Sequence, residues 1–530
     1  MGILRTSFYE KGKTKHTQHG RITGCTLPQL KLLQQAFREQ VIPANSPEAF
    51  KIVHSKEYGA SFSIHKIIQQ IGLDKDLYSR SAPWVNSIIA MVIGRIIYAG
   101  SKLSLCHQQN NTSLWELCGI DNVVDVDKHC YQPMDRLLER QKSIQQKLAK
   151  KHLSDGQLIL YDITSSYLEG EYENSNLVKF GYNRDGKKGH EQIVIGLICN
   201  KEGCPVGVEV YPGNTKDGTT IVDKVDEIKQ FYGINKVVFV GDRGMITKHN
   251  LETLKDKENL RTITALTKAD INKLLESTVI QLDLFDDNNI CQVIDPENQQ
   301  KRYCLCRNPM RAEKDGTTRD RLLESTKEQL EQIVNYKRST TVAVLGSRIG
   351  KVLNKYKTSK YISWEIKADI KEEKSCNHEV IWQFNQSTIK QSQRLDGCYV
   401  ITSDVCSQDM SAGEIVESYK KLILVEKAFR NLKTVRLDMR PIYHRKDDRI
   451  RAHVFLCMLA YHVQWHMQQL LIPLNVEDKG KNRRWTFNNV IETLKQITRN
   501  KVQVAGVELL KVSIPTDEQK RILELLNVVI

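Results

Sequence analysis

Residues 158–164 read Leu-Ile-Leu-Tyr-Asp-Ile-Thr: a run of strand length, apolar except for Asp162 and the closing Thr164. A carboxylate set in such a run is costly to bury unless it is paired or bound to a metal. The same construction returns at 236–242, Lys-Val-Val-Phe-Val-Gly-Asp, where Asp242 leaves a second strand. Between the two, Gln192–Cys199 and Pro205–Tyr211 read as strands flanking the turn Asn200-Lys201-Glu202-Gly203, and Pro212-Gly213-Asn214 breaks the second of them. Ile221–Tyr232 has helical periodicity and stops at Gly233; Thr247–Lys255 reads as helix and Arg261–Leu266 as a further strand. Three meandering strands followed by helical crossovers predict an α/β fold, a mixed sheet with helices on its faces. If the first and fourth strands lie side by side, their ends bring Asp162 and Asp242 together, a hard oxygen site suited to Mg²⁺ or Mn²⁺. Taken singly, each Asp also reads as a strand-end cap or turn starter.

Working outward, residues 1–150 read as a mostly helical region: Leu27–Val41 is helix-compatible, Ala82–Ala99 strongly apolar, and Asp135–Lys151 amphipathic and charged. The extreme N-terminus reads as extended or loose, broken by Gly12 and Gly20. Residues 151–268 form the first part of the sheet core. Residues 269–410 interrupt it as a strand-rich insertion, with a charged helix at Thr317–Val334 and strands at Tyr361–Ile370, Val380–Gln386 and Gly397–Thr402. Residues 411–475 resume the core in helical form, and 476–530 are mixed and mostly helical.

A third acid is expected on the helix Ser418–Lys433, SYKKLILVEKAFRNLK. Tyr419, Glu426 and Lys433 are spaced by seven, which returns a helix to within about 20° of its starting direction. They share one stripe, with Arg430 a turn beyond Glu426, while Val425, Ala428, Phe429 and Leu432 form an arc that can pack on the sheet. A solvated face with Glu–Arg pairing fits the same spacing. Charge sharpens the reading: from Lys420 to Arg451 there are 11 Lys/Arg against 4 Asp/Glu, a net +7 out of +15 for all 530 residues. A lone Glu in that field suits a site where metal and phosphate meet, with Lys and Arg on the nucleic-acid backbone.

Composition agrees. The sequence pI is near 9.1, which favours an anionic partner, nucleic acid before membrane surface. With 40% hydrophobic residues and only 12 Pro the chain is neither disordered nor collagenous. No apolar run reaches the length of a membrane span, no signal peptide is evident, and 13 scattered Cys without CxxC pairs read as reduced thiols. Gly181-x4-Gly186-Lys187 imitates a phosphate-binding loop, but Lys188 stands where Ser or Thr should follow; Arg184, Lys187 and Lys188 remain as backbone contacts. Asp162-Ile163-Thr164 lacks the second Asp that aspartyl-phosphate hydrolases place two residues on. His462 and His466 are four apart in an apolar stretch without a Glu or Cys partner, so packing is expected of them. Cys304-x-Cys306 is too close for a zinc knuckle, and Trp382 and Trp465 are expected in the core.

These motifs together are similar to the bacterial DDE transposases of the insertion-sequence-four superfamily, with the nearest likeness to the family numbered sixteen thirty-four. The resemblance runs from about 155 to 470 and rests on YDITS, on QIVIGLICNKEGCPVGVEVYPGNTKD, and on VGDRGM, CRNPMRAEKD, RIGKVLNKYKTSKY, RLDGCYVITSD and VEKAFRNLK. In the superfamily's helix signature Tyr419, Glu426 and Lys433 match, whereas Leu422 stands where Arg is usual. The resemblance implies a ribonuclease-H-like core in which Asp162, Asp242 and Glu426 hold two Mg²⁺ ions, with Mn²⁺ able to substitute. It implies cleavage at transposon ends followed by 3′-OH strand transfer. Tyr419, Arg430, Lys433, Arg436, Arg184, Lys187 and Lys188 become the DNA-contacting set. It further implies DNA partners (terminal inverted repeats and target), a homodimer in a paired-end complex, no membrane, and a bacterial cytoplasmic, nucleoid-associated location. Residues 1–150 are then expected to bind DNA ends and 476–530 to serve dimerisation. A non-catalytic DNA-binding descendant and a purely hydrolytic nuclease of the same fold are the alternatives; the intact acid triad argues against the first.

Overall fold

The computed structural model describes residues 2–10, 12–22, 26–39, 50–184, 186, 189–216, 237–243, 260–336, 338–368, 374–375, 377–435, 437–478, 483–504 and 507–530. The chain divides into two compact units. The first comprises Met1–Ser154, Tyr161–Ile234 and Ile423–Ile530; the second comprises Asp155–Leu160 and Asn235–Leu422. The helices expected at 221–232 and 247–255 lie outside the described residues.

Eight strands make the main mixed sheet: β1 (Leu158–Tyr167), β2 (Gln192–Asn200), β3 (Pro205–Pro212), β4 (Val237–Val240), β5 (Leu260–Ala265), β6 (Cys291–Ile294), β7 (Arg302–Arg307) and β8 (Cys398–Ser403). In the first unit the order is β3-β2-β1, with β2 and β3 antiparallel around the expected turn. In the second unit the opening residues of β1 head the order β1-β4-β5-β8-β7-β6. There β1 pairs β4 and β4 pairs β5 in parallel, and the remaining pairs are antiparallel. The first and fourth strands are thus neighbours, in the register Leu158↔Val238, Ile159↔Phe239, Leu160↔Val240. β2 is buried along its whole length and β4 almost so, as expected of strands covered on both faces.

The insertion differs from a separate strand-rich domain. Its strands β6, β7 and β8 extend the main sheet, and its longest elements are helices, Pro309–Val334 and Val342–Tyr356, packed on the paired strands Ile362–Lys367 and Glu379–Phe384. Alternating apolar residues in 291–307 satisfy a sheet edge as readily as an independent sheet, so the sequence did not distinguish them.

In the first unit the core is built on two helices. α1 (Pro83–Tyr98) starts with Pro in its first turn, where no N–H is needed, and buries every residue from Ser87 to Ile97. The helix Asp447–Leu470 is buried without a break from Ala452 to Gln464, the environment that an all-round apolar helix demands. Asp447 and Asp448 complement its N-terminal dipole, and the Asp447 carboxylate accepts from Ser175 Oγ at 2.5 Å and the Asn176 N–H at 3.0 Å. The N-terminal region also holds strands that the sequence reading missed: a hairpin, Gly2–Glu10 with Lys13–Ile22, and Phe50–Glu57, which joins Thr498–Val504 and Val507–Val512 in a three-stranded antiparallel sheet. Among the described residues no single helix is long and apolar enough to cross a membrane.

Candidate catalytic site

In the second unit, Asp242 stands two residues beyond β4 and is exposed. Its Oδ1 accepts the Arg243 N–H at 2.8 Å and, at a long 3.4 Å, the Tyr419 hydroxyl. Tyr419 belongs to α2 (Ala412–Lys420), which opens with a reciprocal capping box between Ser411 and Glu414. The Lys421 N–H bonds to the carbonyls of both Glu417 and Ser418, tightening the last turn and closing the helix. The expected continuous helix from Ser418 to Lys433 is therefore corrected. α2 ends at Lys420, α3 runs over Leu422–Arg430, and a π-helical turn follows over Asn431–Val435. The helical run is thus interrupted at Lys421 and widens after Arg430. Leu422, at the signature's Arg position, is buried, a place that suits its apolar side chain.

In the first unit, Asp162 is half-buried in β1, and its Oδ1 accepts the Ile163 N–H at 2.8 Å. The next three residues are gripped from two directions. Lys433 donates from Nζ to Thr164 Oγ1 at 2.6 Å and to the Ser165 carbonyl. Arg184 donates from its guanidinium to the Ile163 carbonyl and from its N–H to Ser165 Oγ at 2.9 Å. Both cations are expected, from sequence, at DNA phosphates. The structure brings them together on the strand that carries Asp162, and Lys433 is only 7% exposed. On α3 the expected two arcs hold: Val425, Ala428 and Phe429 are buried, while Glu426, Lys427 and Arg430 are exposed. The helix leans on the β2–β3 turn at Gly203, whose φ of 84° favours glycine and where a Cβ would come within 2.9 Å of Leu424 Cβ. Lys187, Lys188 and Arg436 lie outside the described residues.

The grip of Lys433 has a measurable consequence. Lys433→Met keeps the apolar stem and removes the donor, leaving Thr164 and Ser165 short of a partner. Hydrogen bonds from a charged donor contribute about 1.5–3 kcal/mol, partly offset here by releasing a buried charge, so a loss of about 2 kcal/mol is expected. A urea titration of the full chain measures it; an unchanged midpoint would show that the contact is not held in solution.

Two features were at most half visible in the sequence. His462 and His466, expected as packing residues without a Cys partner, meet Cys204 and His152, which come from distant parts of the first unit. In the second unit a cavity of about 470 Å³ is lined by Lys268, Arg311, Lys314, Lys357 and Lys360, with the ion pair of Arg319 and Asp396 in its wall.

Residues 154–463 match the model of the transposase DDE domain. That is more than half of the chain, and the chain belongs to this family. The matched stretch contains Asp162, Asp242 and Glu426. The family defines a nucleic-acid-handling enzyme, a DNA transposase, of a kind that generally uses divalent metal ions. No curated protein matches the chain at a significant level.

Proposed function

We propose that the chain is a cut-and-paste transposase of the insertion-sequence-four superfamily, nearest to the family numbered sixteen thirty-four, acting as a dimer on paired inverted-repeat ends. Asp162, Asp242 and Glu426 form its metal-binding triad. The observation that carries the reading is the parallel pairing of Leu160 with Val240, each of which stands two residues before an acid of the triad. The donors are all carboxylate oxygens, which fits Mg²⁺ or Mn²⁺ and disfavours softer metals. Ions held by these three carboxylates would supply Lewis acidity at the scissile phosphodiester.

The chain's own residues have three tasks. Tyr419 orients Asp242 through its hydroxyl. Lys433 and Arg184 are positioning residues that hold residues 163–165 and thereby the strand of Asp162. Arg430, Arg436, Lys187 and Lys188 attract the DNA backbone. In the first step water attacks an end phosphodiester and a 3′-OH leaves. In the second that hydroxyl attacks a target phosphodiester, forming one P–O bond as another breaks, so no external energy source is needed. The net charge of +7 over 420–451 supports a polyanionic partner such as DNA.

With Mg²⁺ or Mn²⁺ the protein is expected to nick a duplex bearing its element's end, and with Ca²⁺ to bind that duplex without cutting. Robust cutting in excess chelator would overturn the triad's role. Supplying pre-cut ends separates transposition from plain hydrolysis: a transposase joins them to target DNA, whereas a nuclease does not.

A further inference from the structure

The first unit brings four side chains with nitrogen or sulfur donors to one point, a donor set different in kind from the triad's carboxylates. His152 is the last residue of the helix Gln141–His152, Cys204 sits at the end of the β2–β3 turn, and His462 and His466 are one turn apart on the helix Asp447–Leu470. Their donor atoms all lie within 4.8 Å of one another. Cys204 Sγ is 3.6 Å from His462 Nδ1. Cys204 and His462 are buried and the two others half-buried, so the cluster is closed on its inner side.

We propose that His152, Cys204, His462 and His466 form a structural site for a single zinc ion, separate from the Mg²⁺ chemistry and resting on no part of it. Four ligands of nitrogen and thiolate type are what tetrahedral zinc takes, whereas hard cations prefer oxygen. Zinc–nitrogen and zinc–sulfur bonds of about 2.1 and 2.3 Å give edges of roughly 3.4–3.6 Å, so donors spread over less than 4.8 Å need to close by only about an ångström.

Three details of the surroundings favour an ion over plain packing. The Nε2 of His466 is buried and has no hydrogen-bond partner, which is costly for a polar atom unless something else meets it. The Pro205 carbonyl lies 2.9 Å from His462 Nδ1, a backbone contact that orients the ring and leaves Nε2, not the Nδ1 beside Cys204, as the ligand atom of this imidazole. The turn bearing Cys204 is already held: Asn200 Oδ1 accepts the Cys204 N–H at 2.8 Å, and the Cys204 carbonyl accepts the Asn200 N–H at 3.0 Å. The neighbouring cation Lys151 is engaged by Asp76 at 2.5 Å. Such an ion would clamp two helices to the β2–β3 turn, and through Gly203 that turn supports α3, the helix of Glu426.

The test uses the full chain with Asp162→Asn, Asp242→Asn and Glu426→Gln, so that the acids contribute no competing site. Purified without chelator, it is expected to carry one zinc per chain by elemental analysis. Replacement by Co²⁺ is expected to give the intense visible bands of tetrahedral cobalt and a near-ultraviolet thiolate charge-transfer band. Cys204→Ser should lose the charge-transfer band, and His466→Ala should weaken zinc binding by more than about a hundredfold, since even outer-shell changes cost 10–100-fold. Zinc content that is equal in the parent and in both variants would overturn the proposal. So would a weak, octahedral cobalt spectrum of the parent, a result that stands even if a variant fails to fold.

Discussion

Glu426→Gln is expected to bind transposon-end DNA at least as well as the parent and to cut it at least a hundredfold more slowly, about 2.7 kcal/mol or more of lost transition-state stabilisation. The substitution keeps the shape of an exposed side chain on α3 and removes one charge. A metal ligand serves mainly the chemical step, so its loss lowers turnover without a comparable loss of ground-state affinity. Removing a negative charge from a phosphate-facing surface favours binding, if it changes it. An exposed Glu without a catalytic role would shift stability by no more than roughly 0.5 kcal/mol and leave turnover alone. A gel shift and a cleavage assay on one preparation decide between the two, with the exposed Glu417→Gln as control. Cutting at the parental rate would remove Glu426 from the triad and direct attention to Asp438.

Arg319→Ala is expected to cost about 3–5 kcal/mol of stability, because it strands a buried carboxylate. Arg319 donates through both terminal nitrogens to Asp396, at 2.8 and 2.7 Å, and the two side chains are only 8% and 10% exposed. The bidentate bond holds the helix Pro309–Val334 against the turn that leads into β8. Gly397 in that turn has a φ of 70°, and a Cβ there would come within 2.4 Å of the Asn308 carbonyl oxygen. The pair also walls the cationic cavity of the second unit. Replacing both partners, Arg319→Met with Asp396→Leu, removes the stranded charge and should recover most of the loss. Urea titrations of parent, single and double variants measure this. A single variant as stable as the parent would mean that Asp396 finds water or another donor.

Much of this protein is written locally. The strands around Asp162 and Asp242 declare themselves because a short apolar run bounded by Gly, Pro and Asn has few other uses. The buried arc of α3 follows from helical period alone. The adjacency of the first and fourth strands was only a condition of the sequence argument, because a crossover can return the chain beside any strand with a free edge; the parallel pairing of Leu160 with Val240 is a tertiary outcome. Other outcomes depended on what the rest of the chain brings close. Lys433 has the composition of a surface phosphate contact, yet it is buried because Thr164 and Ser165, some 270 residues earlier, offer it two acceptors. The helix expected over Ser418–Lys433 breaks at Lys421, where extra backbone hydrogen bonds close one helix, a choice that side-chain periodicity does not encode. The strands of the insertion join the main sheet because edge pairing depends on which partner the fold presents. His462 and His466 carried half of a ligand set on one helix turn; Cys204 and His152 completed it from 258 and 310 residues away, a juxtaposition that only long-range packing creates.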